Sequence, residues 1–589
     1  MNIKKILNNL ELDEYLLLGF IIFACLLQIM TFSQFKHLPG PIYGGDLYRE
    51  RGFTQVILNG IPFYESPYTP GEFHFFPYLA YILIAGITKI TGFSLDFVMI
   101  YFPLLITIFG IIGVYFAGKI FFKNKNAALI MAISSILFRP FYEKVTTGLA
   151  YLFLIWFLYF WFRYEETRKA KDGLFAGLFL GLVALSHGSV FIYGLAAFLG
   201  AIFLFFIYDA VKNPKDALKI IIEYIKRYYK LLGLAFVISM IFFGPIIIKY
   251  HLKMLNNSLS YTLIDVSKLG FGFVLKLLFN SFFDFSNNLF LTIIRLIAFF
   301  GFIISVLNFK RKESKTPLFI MVIITLSAMS FLITKPLFDK SIDPFHLFEG
   351  IWIPLVLFMG FGTIGLIKLS KDVIKRYYIT SILLIIVVFG MIKVSINYNN
   401  DQWTEYGKNM DPQTASLYET GSWLMNNMDN AKTVLANDES SFMINAMAGK
   451  RVVFSRRVHA SYYEDVDKKY ADGVVMLFGN DSETDKKLLK EYNVEYVYVD
   501  QFLFSYPIVV NLKYKDYMDM NGINYTIRKV RLDPSTNDAP AFDSLVVSPN
   551  MNSVMLQALR NLSSENTLIA PAKSFYVSGQ ISSLILKVK

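Results

Sequence analysis

Apolar runs long enough to cross a lipid bilayer recur through this chain, and they restrict its fold more than any other feature. The hydrocarbon core of a membrane takes roughly 20 residues of helix. The first run, YLLLGFIIFACLLQIMTF at 15–32, meets that length. Others follow near 97–118, 127–142, 148–163, 173–188, 190–208, 231–250, 289–308, 317–335, 347–367 and 377–397. Together they make about eleven expected crossings. A chain that is 55% hydrophobic and 17% charged is not an ordinary soluble protein. No small-residue cleavage site follows the first run, so it reads as a retained span rather than a signal peptide.

The charges fix the expected topology. A formal charge of +12 is carried by short basic clusters between apolar runs, the pattern that orients membrane proteins, and does not point to nucleic acid. Lys4/Lys5, Lys119/Lys123/Lys125, Arg163/Arg168/Lys169/Lys171, the run from Lys212 to Lys230, Lys310/Arg311/Lys312/Lys315 and Lys368/Lys371/Lys375/Arg376 all fall on one side with these spans. Counting 76–91 as a further span would throw the later clusters outside. FPYLAYILIAGITKIT is therefore read as an interfacial helix, and 33–96 as one long external loop. Cys25, inside the first span, has no second cysteine to pair with.

Beyond 398 the apolar runs shorten and an α/β pattern appears. ASLYETGSWLMNNM, SSFMINAMA and ETDKKLLKEY read as helices, and TVLAND, RVVFS and VEYVYVD as strands. The expected fold class is a polytopic α-helical membrane protein with interfacial helices in its first outer loop and a C-terminal extracytoplasmic α/β domain. It divides at 1–397 and 398–589, in a multi-pass protein of the plasma membrane.

Carboxylates beside hydrocarbon are costly unless solvated, paired or used. With this topology the external segments collect Asp46, Glu50, Glu65, Glu72 and His74, then Arg139, Glu143 and Lys144, then His187, and later Lys335, Lys340, His346 and Glu349. Asp265, Asp284 and Lys253 read as solvated loop residues. Glu50 reads as an ion-pair partner of Arg49 or Arg51.

GGDLYRE opens the long loop and YTPGEFHFFPYLAYIL closes it. With the string of spans and the external α/β domain, this resembles the GT-C fold, the polytopic glycosyltransferases that use polyprenyl-phosphate-linked sugars. The resemblance implies that Asp46 is a catalytic base or metal ligand. It places Glu72 and His74 just before a PPLYY-like interfacial helix, here reduced to the single Pro77. DGLFAGLFLGLVALSHGSVFIY resembles the family's G-x-x-x-G-x-x-x-L-T-K/H span, whose glycines admit close helix approach and which ends outside at His187. The family's second acidic position has Glu143 as its nearest counterpart.

The last domain is similar to that of archaeal oligosaccharyltransferases. LANDESSFM stands where their acceptor-reading WWDYG motif would be, which argues against en bloc transfer to asparagine and for a monosaccharide. The expected reaction moves a sugar from a polyprenyl- or dolichyl-phosphate donor to a glycan, lipid or protein acceptor at the outer membrane face, with inversion. Asp46 would be the base and Glu72 a second catalytic carboxylate. His74, Arg139, Glu143, Lys144, His187, Lys335, Lys340 and His346 would line the substrate and lipid-phosphate site. If a divalent cation such as Mg²⁺ or Mn²⁺ takes part, Asp46 with Glu72 or His74 supplies hard ligands. The alternatives are a lipid-linked glycan polymerase or ligase, or a flippase or transporter.

Overall fold

The computed structural model describes residues 11–40, 42, 45–138, 144–251, 253, 271–283, 288–330, 348–369, 373–530, 542–549 and 568–589. Asp265 and Asp284 lie outside them. Among the described residues, eight helical segments are long and apolar enough to cross a membrane. The helices run α1 (Leu12–Phe32), α2 (Asp46–Leu58), α3 (Leu79–Thr91), α4 (Leu95–Phe122), α5 (Lys125–Phe138), α6 (Val145–Thr167), α7 (Ala170–Ser186) and α8 (Gly188–Lys212). Then come α9 (Ala217–Tyr250), α10 (Phe271–Phe283), α11 (Leu289–Leu307), α12 (Lys312–Ala328), α13 (Trp352–Leu369) and α14 (Val373–Asn399). All eleven expected spans have a helix in place, but α5, α7 and α12 hold only 14, 17 and 17 residues. At 17 residues α7 and α12 sit at the lower end of the roughly 17–25 that a crossing takes, and α5 ends where the described residues stop. The segment 76–91 forms the short helix α3, in line with an interfacial reading. α10 was not anticipated.

The chain separates into two compact units. One comprises Met1–Gln34, Ile100–Gly244 and Val266–Asp401, and the other Phe35–Met99, Pro245–Asp265 and Gln402–Lys589. The loop that the sequence division placed with the membrane helices thus groups with the C-terminal residues.

In the first unit, helices meet through small residues. A methyl group added to Gly177 would lie 2.4 Å from the Leu231 carbonyl oxygen, and one on Gly181 would strike Ile238. Gly177 and Gly181 of α7 therefore face α9, while Gly173 packs against Tyr164 of α6. The approach is tighter between α11 and α13, where a methyl on Gly301 would lie 1.8 Å from the Phe358 carbonyl oxygen. Lipid tails give no hydrophobic drive to join apolar helices, so close backbone packing of this kind holds them together.

The second unit contains α15 (Gln402–Lys408), α16 (Pro412–Asn427), β1 (Thr433–Leu435), α17 (Asp438–Ala448), β2 (Arg451–Val452), α18 (Val466–Phe478), α19 (Ser482–Glu491) and β3 (Val494–Asp500). β4 (Ile508–Asn511), β5 (Tyr525–Val530), β6 (Phe542–Val547), β7 (Ile569–Val577) and β8 (Gln580–Val588) also belong to it, as do α2 and α3. A five-stranded sheet has the order β2-β1-β3-β8-β7, and a three-stranded sheet the order β4-β6-β5. β1 pairs in parallel with β2 and β3, while β3–β8 and β7–β8 are antiparallel. Asn437 stops β1 and starts α17, its side chain accepting the Ser440 amide at 2.8 Å.

Candidate functional site

α2 begins at Asp46, with Gly45 as its extended N-cap. A carboxylate in the first turn is favoured by the helix dipole and stays near the surface. One turn on, Arg49 points Nη1 at Asp46 Oδ1 over 3.1 Å. The Arg49 side chain is one-tenth exposed and the Asp46 side chain about a quarter exposed. The guanidinium also lies 4.3 Å above the Phe76 ring, which fixes it by a cation–π contact. His459 approaches the same oxygen, with Nε2 at 3.5 Å. Its ring is buried and stacked on Phe442 of α17 at 4.9 Å between centroids. Burial, reinforced by Arg49 and Arg456, pulls the imidazole down to about 4 despite the pull of Asp46, so it is neutral at pH 7.

The rest of α2 is clamped by α17. Arg51 donates to the Ala446 and Met447 carbonyls at 2.5 and 3.0 Å and to Asp96 at 2.6 Å. A methyl on Gly52 would lie 2.6 Å from Asn445 Oδ1 and 3.0 Å from the Ala446 Cα, so glycine is what lets the two helices touch. Tyr48, fully buried, donates to the Leu38 carbonyl at 3.0 Å. Asp46 is thus the exposed start of an otherwise immobilised helix.

The other sequence candidates are dispersed. Glu72 is engaged by Lys249 at 2.9 Å and by the Tyr250 hydroxyl, a pair set apart from the partners of Asp46. His74 is buried among Phe53, Phe75, Tyr78 and Tyr81, and its Nδ1 accepts the Phe76 amide at 3.2 Å. Burial takes it down to about 3, so at neutral pH it offers no positive charge to a lipid phosphate. Among the described residues no group of three or more His, Cys, Asp or Glu side chains could hold a metal ion. Asp46, Glu72 and His74 are therefore not gathered into one donor set among the described residues: each is turned to a different partner. Glu50 is fully buried and acts electrostatically on Arg49, which also pairs with Asp46, while Arg51 pairs with Asp96. In the first unit, Lys144 immediately precedes α6 and is exposed, and His187 joins α7 to α8 half-buried. Arg139, Glu143, Lys335, Lys340 and His346 lie outside the described residues.

Comparison with known proteins sets this arrangement in context. Residues 76–225 match the model of the family described as dolichyl-phosphate-mannose-protein mannosyltransferase. The oligosaccharyltransferase of Archaeoglobus fulgidus in complex with Zn and sulfate superposes with a TM-score of 0.50 at 14% identity, covering 95% of this chain and 79% of that one. ArnT from Cupriavidus metallidurans bound to undecaprenyl phosphate gives a TM-score of 0.53 at 10% identity, covering 91% of this chain and 98% of that one. The chain has the GT-C fold.

The family match supports a glycosyltransferase, and the GT-C neighbours show the fold of a multi-pass membrane protein. An uncharacterized protein of Methanocaldococcus jannaschii, MJ1080, is 31% identical over 134 residues, which are 23% of this chain and 95% of the relative. The chain belongs to the same family as that protein. Against this GT-C background, His459 is the residue that sequence reading missed. It sits in SRRVHAS after a predicted strand, with no spacing that ties it to GGDLYRE. A histidine between two short α/β elements carries no local mark of its partner.

Proposed function

We propose that this chain transfers a sugar, with inversion, from a polyprenyl-phosphate-linked donor to an acceptor hydroxyl at the outer membrane face, with Asp46 as the base. The observation that carries the reading is the Asp46 carboxylate, partly exposed at the start of α2 and held by Arg49. The leaving lipid phosphate is already ionised and needs no general acid. It needs positive charge as the glycosidic bond breaks. Arg139, Lys144, Lys335, Lys340 and His346 are proposed for that role. The acceptor hydroxyl needs a base within hydrogen-bond reach, opposite the departing phosphate. Asp46 takes that proton as the acceptor oxygen attacks the anomeric carbon, and the lipid phosphate leaves with the bonding electrons.

Two relatives give support. The matched family is named for a dolichyl-phosphate-mannose enzyme, and ArnT was seen with undecaprenyl phosphate. The 398–589 segment is proposed to lie outside the membrane, on the side of the acceptor. A zinc ion accompanies one neighbour. The donors described here do not reproduce such a site, and no step above runs through a metal. The test is to incubate purified wild type and Asp46→Asn in lipid with a panel of polyprenyl-phosphate sugars and follow release of polyprenyl phosphate. Wild-type turnover with loss in the variant supports the reading, and equal turnover in both moves the chemistry away from α2.

A further inference from the structure

His459 reaches Asp46 from a different part of the chain and is not explained by packing alone. Its ring has two nitrogens in unlike surroundings. Nε2 faces Asp46 Oδ1, whereas Nδ1 is buried with no hydrogen-bond partner among the described residues. A carboxylate oxygen only accepts, so the neutral ring places its single proton on Nε2, facing that oxygen. The stack on Phe442 sets the ring plane, and the turn Arg457–His459, with the His459 amide donating to the Arg456 carbonyl at 2.9 Å, sets its position. At 3.5 Å the contact is at the outer edge of hydrogen-bond reach, as catalytic contacts are before substrate binds.

Two donors to this carboxylate, Arg49 Nη1 and His459 Nε2, converge on Oδ1. Two contacts on one oxygen fix the rotation of the carboxylate about its Cβ–Cγ bond, which a single ion pair does not. We propose that His459 is a positioning residue: its Nε2–H holds the Asp46 carboxylate in the orientation from which it takes the acceptor proton. The proposal rests on the reading of Asp46 as the base. It also assigns a task to the segment after β2, which brings the orienting group to the helix that carries the base.

Other charged or titratable groups also act on Asp46 or its partners. Arg49 and Glu50 come from α2, Tyr81 from α3, and Arg456 and Tyr462 from the segment that carries His459. Since these stay in place, replacing His459 isolates one donor. Phenylalanine keeps the ring stacked on Phe442 and removes the N–H. Glutamine keeps an N–H donor near the position of Nε2 and removes the aromatic ring.

The experiment measures protonation of Asp46 directly, without a sugar donor. Wild type, His459→Phe, His459→Gln and Asp46→Asn, each as the full chain in lipid nanodiscs, are treated with a water-soluble carbodiimide across a pH series. Modification of the Asp46 peptide is quantified by mass spectrometry, with Asp46→Asn as the blank. An N–H donor stabilises the carboxylate, so its loss in His459→Phe raises the modification midpoint, by about one pH unit. His459→Gln stays within a few tenths of wild type. Equal midpoints in all three proteins overturn the proposal. So does an equal rise in both His459 variants, because the ring shape and not the donor would then be responsible. The underlying reading fails separately: wild-type turnover by Asp46→Asn removes the base, and with it the role given to His459.

Discussion

Two helix pairs, one in each unit, solve the same problem of close approach in different ways. In the membrane bundle α11 and α13 meet through glycine against backbone, Gly301 on the Phe358 carbonyl and Gly362 on the Ile297 carbonyl. In the second unit α2 and α17 also meet at a glycine, Gly52, but the contact is flanked by Arg51 bonding two α17 carbonyls and Asp96. The bundle pair depends on shape, as helices in lipid must, with no hydrophobic gain to add. The α2–α17 pair adds charge-assisted hydrogen bonds, which immobilise a helix whose first residue is the proposed base. Shape secures the scaffold, and hydrogen-bonded charge secures the site.

That contrast gives four expected outcomes, in order of decreasing effect. Asp46→Asn lowers turnover by about 10² to 10⁴-fold, the usual worth of a positioned base, while the amide oxygen still accepts from Arg49 and the variant stays folded. A fall in stability matching the loss of activity would erase the distinction between site and scaffold. Gly301→Leu acts in the opposite sense. It drives a side chain into the α13 backbone and costs about 3 kcal/mol or more, read as loss of monodisperse protein in detergent, although the chemistry of α2 is untouched.

Arg51→Met removes three hydrogen bonds and leaves Asp96, which also accepts the Tyr418 hydroxyl at 2.6 Å, without its guanidinium. It costs about 3 kcal/mol in thermal unfolding, and adding Asp96→Leu recovers part of that loss. An unchanged melting temperature would show that packing at Gly52 suffices, as it does in the bundle.

The smallest effect tests a charge that no partner compensates. Both carboxyl oxygens of Asp485 are buried with no hydrogen bond among the described residues, and burial, aided by Asp481, pushes the group up to about 7. The unfolded chain loses this proton near pH 4, whereas the folded chain holds it until about pH 7. The penalty therefore grows as pH rises through that window and is constant above it. Asp485→Asn stabilises the protein by about 1 to 2 kcal/mol at pH 8 and leaves it unchanged at pH 4, as melting curves at the two pH values would report. A gain at both pH values would place the effect in packing instead of charge.

What the sequence determined by itself is what local periodicity encodes. Hydropathy located a helix at each of eleven positions, and the glycine row at 173–181 marked a helix-facing edge of α7. The alternation of VEYVYVD marked β3, and the position of α2 just after the first span brought Asp46 to notice. Length was legible less well: α7 and α12 reach only the lower end of a crossing, because the apolar character of a run does not say where its helix stops. Only the tertiary structure decided which charges meet. Glu72 and His74, close to Asp46 in the chain, are turned to Lys249 and to an aromatic pocket, while His459, far away in sequence, arrives at its carboxylate. The reason is physical. The pattern of a helix or strand repeats within a few residues and can be read along the chain. The partner of a charge is set by the packing of whole elements against one another, here α17 and the turn after β2 against α2.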